Sequence, residues 1–172
     1  MAVVADAAAG VRAAGRGATI IQLRRPGDPG GGLEAEMVVL LQATRLPVLV
    51  GGRADVALAT GAAGVHLPEQ DLPVVAARRL LGPERLVGRS VHSVAAAESA
   101  EAEGADYVLF GAVFPSPGHE QVAGLEELAR VAAAVRIPVL AVGGVSGERV
   151  EACRRAGAAG FAAIRYFQGP PP

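Results

Sequence analysis

Three histidines are the side chains of this sequence whose ordinary pKa lies near neutral pH, which makes them candidate acid/base catalysts. His119 lies in a loop of proline, glycine and serine, and we predict that it is catalytic. His92 follows an apolar segment and is also predicted to be catalytic, the alternative being that it caps the next helix. His66 lies within an apolar segment and is a candidate substrate-binding residue, the favoured alternative being an interior side chain whose hydrogen bonds are satisfied within the protein. The three histidines are not spaced as a metal-ligand cluster, so we predict no zinc site.

Two glycines in the segment VGGVSGER are candidates for binding phosphate. Gly143 and Gly144 follow an apolar segment and precede a predicted helix, an arrangement that exposes backbone N–H groups to an anion. The alternative is a tight turn that needs glycine only for its backbone conformation. Arg24 also follows an apolar segment, and we predict that its guanidinium binds an anionic substrate. The alternative for Arg24 is that its aliphatic stem covers the edge of the fold.

Two serines and one aspartate complete the candidate site. Ser90 and Ser116 follow further apolar segments and are predicted to contact substrate. Asp71 follows the segment that contains His66, and the sequence favours a cap on the helix that begins LPVVAARR over a metal ligand. We therefore predict no resident metal, with Asp71 as a ligand only if Mg²⁺ is used.

A repeated pattern predicts the elements that hold these residues. Helical stretches end in Gly-Ala and are followed by four to six apolar residues, which is typical of parallel strands buried on both faces. Eight segments are predicted strands: 2–5, 19–23, 47–50, 64–67, 86–90, 107–111, 138–142 and 160–165. Strict alternation with helices predicts a small (β/α)₈ TIM barrel with a stunted first helix near 7–15 and no eighth helix. An open doubly wound sheet is the alternative, although the first strand lacks the glycine signature of dinucleotide-binding folds.

The composition is consistent with one soluble domain. The chain has 172 residues, 51% of them hydrophobic, and we predict a barrel over 1–168 followed by a disordered tail over 169–172. The net charge of −1 predicts no direct nucleic-acid partner, and no apolar run is long enough to predict a membrane span. The lone Cys153 suits a cytoplasmic protein. All 16 basic residues are arginine, which excludes Schiff-base chemistry on a lysine.

Five segments together resemble the thiamine phosphate synthase/TenI family over roughly 17–165: IIQLR, ADVALATGAAGVHLPEQDLP, GRSVHS, GADYVLFGAVFPSPGH and IPVLAVGGV. The resemblance implies a (β/α)₈ barrel and a role in thiamine biosynthesis. Members of this family include synthases that join a pyrimidine pyrophosphate to a thiazole phosphate with Mg²⁺. They also include TenI-type proteins, one of which is a thiazole tautomerase.

The sequence departs from the synthase pattern at three strand ends. Synthases typically read Arg-Glu-Lys where residues 24–26 read RRP, and Thr-x-Thr-Lys where residues 116–119 read SPGH. They read Asn-Asp-Arg, with the aspartate on Mg²⁺, where residues 51–53 read GGR. Asp71 matches the second Mg²⁺ ligand and is retained. The departures disfavour the synthase reaction and leave the thiazole-phosphate half of the implied site.

We therefore predict a TenI-like protein of thiamine biosynthesis that binds a thiazole phosphate and acts as an isomerase of the thiazole tautomerase kind. The characterised tautomerase has histidine where this chain has Ala112, so we assign the acid/base role to His119. The alternatives are a thiamine phosphate synthase and a non-catalytic or regulatory ligand-binding relative. We predict no cofactor, except Mg²⁺ if synthase activity is retained. We also predict a homodimer that covers apolar surface near 160–168.

Overall fold

The computed structural model describes residues 1–28, 31–116 and 121–168, over which strands and helices alternate. The elements are β1 (Ala2–Val4), α1 (Ala7–Ala14), β2 (Ile21–Leu23), α2 (Gly31–Ala43), β3 (Val48–Gly51), α3 (Ala54–Thr60), β4 (Gly64–Leu67), α4 (Val74–Leu81), β5 (Leu86–Val91), α5 (Val94–Ala102), β6 (Tyr107–Phe110), α6 (Gly124–Ala134), β7 (Val139–Val142), α7 (Gly147–Arg155), β8 (Gly160–Ala162) and a 3-10 helix (Arg165–Phe167). The strands form one parallel sheet in sequence order from β1 to β8.

Short polar side chains and glycines define several helix ends. The carboxylate of Asp6 accepts a hydrogen bond from the backbone N–H of Ala9 at 2.7 Å and so caps α1. The hydroxyl of Ser93 caps α5 in the same way. At the other end of a helix, α3 stops at Gly61, which has a left-handed φ of 73°. These caps fix where α1 and α5 begin, and the glycine fixes where α3 ends before the chain returns to the next parallel strand.

The sheet curves until β8 meets β1. The backbone N–H of Val3 donates to the carbonyl of Ala163 at 3.0 Å, and the N–H of Ala163 donates to the carbonyl of Met1 at 3.1 Å. A single parallel bridge between Ala2 and Ala163 therefore joins the two edges. This contact converts the open alternative into a barrel and removes both free edges at that level.

The strands are buried on both faces because the barrel has two separate cores. All four residues of β6 are buried, and its side chains alternate between them. Tyr107 and Leu109 point into the barrel and pack with Leu49 and Ala162. Val108 and Phe110 belong to the larger core between strands and helices. This arrangement explains why the strand sequences are continuously apolar rather than alternating.

The structure confirms the predicted barrel. α1 has eight residues, as many as α4 and one more than α3, and the 3-10 helix stands where an eighth α-helix would begin. Phe167 of that 3-10 helix is buried and stacks on Phe161 at a centroid distance of 6.0 Å, so part of the expected gap is covered. Ile164 remains 52% exposed. The predicted tail over 169–172 lies outside the described residues, and no helix within the described ranges is long and apolar enough to cross a bilayer.

Gly88 of β5 provides space inside the barrel, and this generates a prediction for stability. Gly88 is paired with His66 on one side and Tyr107 on the other, and a Cβ atom at Gly88 would overlap the Tyr107 ring. We expect Gly88→Ala to lower the free energy of unfolding by about 1–3 kcal/mol, measured by denaturant titration.

Gly31→Ala is the matched control because a Cβ atom there meets nothing within 4 Å. It should leave stability unchanged or raise it by up to about 1 kcal/mol. Equal midpoints for the two variants would show that Tyr107 does not need the space above Gly88.

Candidate active site

The candidate site lies at the carboxyl ends of the strands, where the loops of a parallel barrel converge. A cavity of about 800 Å³ opens there against the ends of β6, β7 and β8. Its lining includes Ala112, Ser116, His92 and Arg165. A volume of this size suits a small organic ligand.

The turn after β7 forms one wall of this cavity. Gly143 and Gly144 have φ angles of 89° and 61°, a region that favours glycine. A Cβ atom at Gly143 would lie 2.6 Å from Ala112, and one at Gly144 would lie 2.6 Å from two carbonyl oxygens of the β6 loop. The turn therefore needs glycine both for its conformation and for its close approach to the next loop.

The start of α7 follows this turn and lies on the same cavity. Ser146 is the N-cap residue, but its hydroxyl makes no capping hydrogen bond, which leaves first-turn N–H groups for an outside acceptor. Arg149 of α7 donates to the carbonyl of Gly144 at 2.8 Å and lies over the Phe114 ring at 4.7 Å. The arrangement offers backbone donors and positive charge to an anion.

A second group of polar residues lies at the ends of β2, β3 and β4. The Arg24 side chain packs against Gly51, where a Cβ atom would lie 3.0 Å from Arg24 Cγ. The Arg24 guanidinium makes no hydrogen bond or ion pair with the residues described here, so it is a free cation. A Cβ atom on Gly52 would lie 3.0 Å from Asp71 Oδ2, so the aspartate is directly beside the glycine turn.

Gln22 of β2 belongs to this second group although it was not among the predicted site residues. It is only 2% exposed, and its Nε2 lies 3.2 Å from the position of a Cβ atom on Gly51. No fully buried side-chain nitrogen or oxygen of the described residues lacks a hydrogen bond, so the Gln22 amide, which lies beside the end of β3, retains some access to solvent. A polar residue inside the apolar run IIQLR was the signal that could have identified it.

His66 lies inside the barrel and bonds with both ring nitrogens to other side chains. Its Nδ1 is 3.0 Å from the Tyr107 hydroxyl, and its Nε2 is 2.8 Å from Ser90 Oγ. Burial, with smaller effects from the charges of Arg24 and Arg89, lowers the pKa of His66 to about 3. The prediction that His66 is an interior side chain is therefore confirmed, while neither ring nitrogen is left to contact a substrate.

His92 has a different environment, at the rim of the cavity. Its Nδ1 lies 2.8 Å from Glu69 Oε2, and its backbone N–H donates to Glu69 Oε1 at 3.2 Å. A carboxylate on Nδ1 orients the ring and leaves Nε2 for proton transfer. Ser93, not His92, caps α5, so the capping alternative for His92 is wrong.

The remaining predicted residues differ in where the structure places them. Ser116 lies on the cavity with Gly143 and Gly144, whereas Arg24 and Asp71 lie on the β2–β4 side. His119 lies outside the described residues. The favoured capping role of Asp71 is wrong, because α4 begins after Pro73 without a side-chain cap, and Asp71 Oδ1 accepts only from the adjacent Leu72 N–H at 2.6 Å.

The carboxylates of the mouth do not fit a resident Mg²⁺ ion. Asp71 is accompanied by Gly51 and Gly52 rather than by a second acidic residue. Among residues 1–28, 31–116 and 121–168, no three histidine, cysteine, aspartate or glutamate side chains form a metal-binding group. Because Mg²⁺ usually relies on one or two carboxylates together with substrate phosphates, one carboxylate without substrate is a poor site for a resident ion.

Comparison with known proteins identifies the family. A family model described as thiamine monophosphate synthase matches residues 2–167. The chain belongs to this family. The thiamine-phosphate synthase of Anaeromyxobacter dehalogenans (strain 2CP-C) is 48% identical over 171 residues, which cover 96% of this chain and 77% of that protein. The thiamine-phosphate synthase of Chlorobium limicola is 43% identical over 154 residues, which cover 86% of this chain and 73% of that protein.

A solved member of the thiamine monophosphate synthase family has the same architecture. The thiamine phosphate pyrophosphorylase from Pyrococcus furiosus superimposes with a TM-score of 0.86 at 35% sequence identity. The alignment covers 95% of this chain and 84% of that structure. The family resemblance and the barrel predicted from the sequence are both confirmed.

The lowered pKa of His66 predicts how stability depends on pH. The unfolded imidazole titrates near its ordinary 6.5, whereas the folded one titrates at about 3. Between these values the unfolded chain binds a proton that the folded chain excludes, so stability falls as the pH decreases. We expect a contribution of about 2 kcal/mol to be lost between pH 7 and pH 5, and a smaller loss in His66→Gln, measured by urea unfolding.

His92→Gln is the control, because it removes a histidine from the surface of the same mouth. Its loss of stability between the two pH values should exceed that of His66→Gln, because His66 is still present. A wild-type pH dependence in His66→Gln would mean that His66 is not held neutral in the barrel.

Proposed function

We propose that this chain is a transferase of thiamine biosynthesis that joins a pyrimidine pyrophosphate to a thiazole phosphate. In this reaction the thiazole nitrogen bonds to the methylene carbon of the pyrimidine. The bond from that carbon to the pyrophosphate oxygen breaks, and pyrophosphate leaves with the electron pair. The names of the two relatives support this reaction, which was the alternative in the sequence prediction, over the tautomerase.

The observation that carries the proposal is the glycine turn beside the cavity. Gly143, Gly144 and the start of α7 present backbone donors to a space of about 800 Å³, which is large enough for a thiazole phosphate. Ser116 lies on the same cavity and supplies a hydroxyl. We assign the phosphate of the thiazole to this turn.

The polar group on β2–β4 is assigned to the pyrimidine pyrophosphate. Arg24, whose guanidinium has no hydrogen-bond or ion-pair partner in the described part of the chain, can bind phosphate oxygens with two hydrogen bonds. Gln22 supplies an amide, which can both donate to and accept from a heterocycle. The two substrates would then meet above the barrel interior, and Ser90 belongs to β5, the strand between β2–β4 and β6–β8 in the sheet order.

As a transferase, this chain would have fewer charged side chains in its site than the synthase sequence pattern that the resemblance implies. The chain contains no lysine, and Gly52 stands where that pattern has an acidic residue. Arginine is permanently charged, so Arg24 can offset part of the charge on the leaving pyrophosphate. These substitutions lead us to expect a lower turnover number than in synthases that retain both lysines.

A second candidate function is the TenI-like one, supported by the pair of His92 and Glu69 at the cavity rim. An imidazole oriented by a carboxylate suits the proton shift that aromatises a thiazole carboxylate phosphate tautomer. His119, the acid/base residue predicted from sequence, remains a candidate for this step. A non-catalytic relative of this kind would bind thiazole phosphate without converting it. A homodimer in the cytoplasm remains a prediction for all of these forms.

One incubation series distinguishes these functions. The purified chain is mixed with pyrimidine pyrophosphate and thiazole phosphate, with and without Mg²⁺, and products are followed by mass spectrometry and pyrophosphate release. We expect thiamine phosphate and pyrophosphate in equal amounts. Interconversion of the thiazole tautomers without pyrophosphate release would support the second candidate, and saturable binding without product would support the non-catalytic one.

The same series tests Arg24. We expect Arg24→Gln to weaken binding of inorganic pyrophosphate by about ten- to hundredfold, because a charged hydrogen-bond donor is lost. Arg136→Gln is the control, since Arg136 precedes β7 at the opposite end of the barrel and its side chain is 96% exposed. Equal binding by both variants would contradict the assignment of Arg24 to the pyrophosphate.

Gly52→Asp tests whether the missing acidic residue limits Mg²⁺ binding. An aspartate at this position would face Asp71 and would tolerate the left-handed φ of 72° better than most residues. We expect Mg²⁺ to raise the melting temperature of Gly52→Asp by several degrees, because the ion relieves repulsion between the two carboxylates.

Gly52→Asn provides the comparison, since it adds the same volume without charge. Its melting temperature should not depend on Mg²⁺. A response of similar size in both variants would mean that the carboxylate at position 52 does not bind the ion.

A further inference from the structure

Three side chains from neighbouring strands form a hydrogen-bonded chain inside the barrel. Tyr107 of β6 bonds to His66 of β4, and His66 bonds to Ser90 of β5. Tyr107 reaches across β5 because Gly88, which lies between them in register, has no side chain. His66 and Tyr107 are 3% and 6% exposed, whereas Ser90 is only partly buried and is the last residue but one of β5. The hydrogen-bonded chain therefore runs from the interior toward the carboxyl ends of the strands.

The proton positions in this chain follow from what each group can donate. A neutral imidazole carries one N–H donor and one acceptor nitrogen. If Nδ1 carried the hydrogen and donated to Tyr107, the phenol O–H would be a buried donor without a partner, which is costly. If Tyr107 donates to Nδ1, only a lone pair of the phenol oxygen is left over. The second arrangement places the imidazole hydrogen on Nε2, where it donates to Ser90 Oγ.

The surroundings of His66 also keep its ring neutral. The cationic groups whose charges reach it are Arg24 and Arg89, and no carboxylate bonds to either ring nitrogen. Burial raises the pKa of the Tyr107 hydroxyl, so this group remains a donor at neutral pH. A neutral His66 and a protonated Tyr107 are the two states that this pair of hydrogen bonds requires, with Tyr107 donating to Nδ1 and Nε2–H donating to Ser90.

We propose that Tyr107 and His66 are positioning residues that turn the O–H of Ser90 toward the barrel mouth, where it donates to an anionic oxygen of the ligand. Because Ser90 Oγ already accepts from Nε2–H, its own hydrogen is free for another acceptor. This inference rests on the proposed phosphorylated substrates for its ligand, but the proton arrangement itself does not. His66 thus acts through Ser90 rather than by touching the substrate.

The proton arrangement can be measured directly in the free protein. ¹⁵N–¹H correlation spectra of the full chain labelled on histidine report which ring nitrogen carries the hydrogen. We expect His66 to be the Nε2–H tautomer at pH 7 and still neutral at pH 5. His92 is the internal reference, because donation to Glu69 requires a hydrogen on its Nδ1. An Nδ1–H tautomer or an imidazolium at His66 would overturn the proposal.

Variants test the link from Tyr107 to Ser90, with His66→Gln and His92→Gln used to assign the resonances. In Tyr107→Phe we expect the Nδ1 resonance of His66 to move downfield as it loses its donor, with the barrel intact by circular dichroism. An unchanged resonance would show that Tyr107 does not donate to His66. If Tyr107→Phe does not fold, the tautomer of the wild-type protein still decides the question.

Binding of inorganic pyrophosphate, measured by calorimetry, tests the consequence for the ligand. Ser90→Ala should weaken binding about tenfold, and Tyr107→Phe about threefold or more. The double variant should bind no more weakly than Ser90→Ala, because Tyr107 acts through Ser90. Independent losses that multiply in the double variant, or undiminished binding by Ser90→Ala, would refute the positioning role. The tautomer result stands whether or not the transferase assay succeeds.

Discussion

Closure of the sheet between β8 and β1 is the constraint on which the site depends. Two hydrogen bonds through Ala163 join the edges, and closure makes all eight strands end at one mouth. A closed barrel this small must be filled by its own side chains, and Leu49, Tyr107 and Leu109 fill it. The polar residues of the interior can then lie only where they bond to each other or open to the mouth.

The mouth combines two chemically different halves. One half is made of backbone, since Gly143, Gly144 and the first turn of α7 present N–H groups to the cavity. The other half is made of side chains around Arg24 and Asp71, next to the glycines that end β3. The backbone half depends on chain geometry, which needs glycine at positions 143 and 144. The side-chain half depends on charge, and it is the half in which this chain differs from the synthase pattern of its family.

Much of the fold could be predicted because local chemistry and tertiary position agree. Glycines such as Gly61 end helices, and continuous apolar segments such as YVLF become strands buried on both faces. Strand ends then indicated the positions of Arg24, His92 and Gly143 at one mouth. The prediction for Asp71 failed because capping depends on where the first helical turn begins, and α4 begins three residues further along.

Residue order and type were enough to indicate eight parallel strands and the end of the barrel at which chemistry occurs, because these follow from periodicity and from glycine at chain reversals. The family was indicated separately, by the resemblance of five sequence segments to known members. The folded chain was needed to show which side chains meet. Ser90 and Tyr107 lie 24 and 41 residues after His66 in the chain, and no local sequence signal links the three. Their contact arises because parallel strands in register bring distant residues side by side and because Gly88 leaves room between them. Pairings of this kind depend on register and packing volume, which are properties of the closed barrel and not of any single segment.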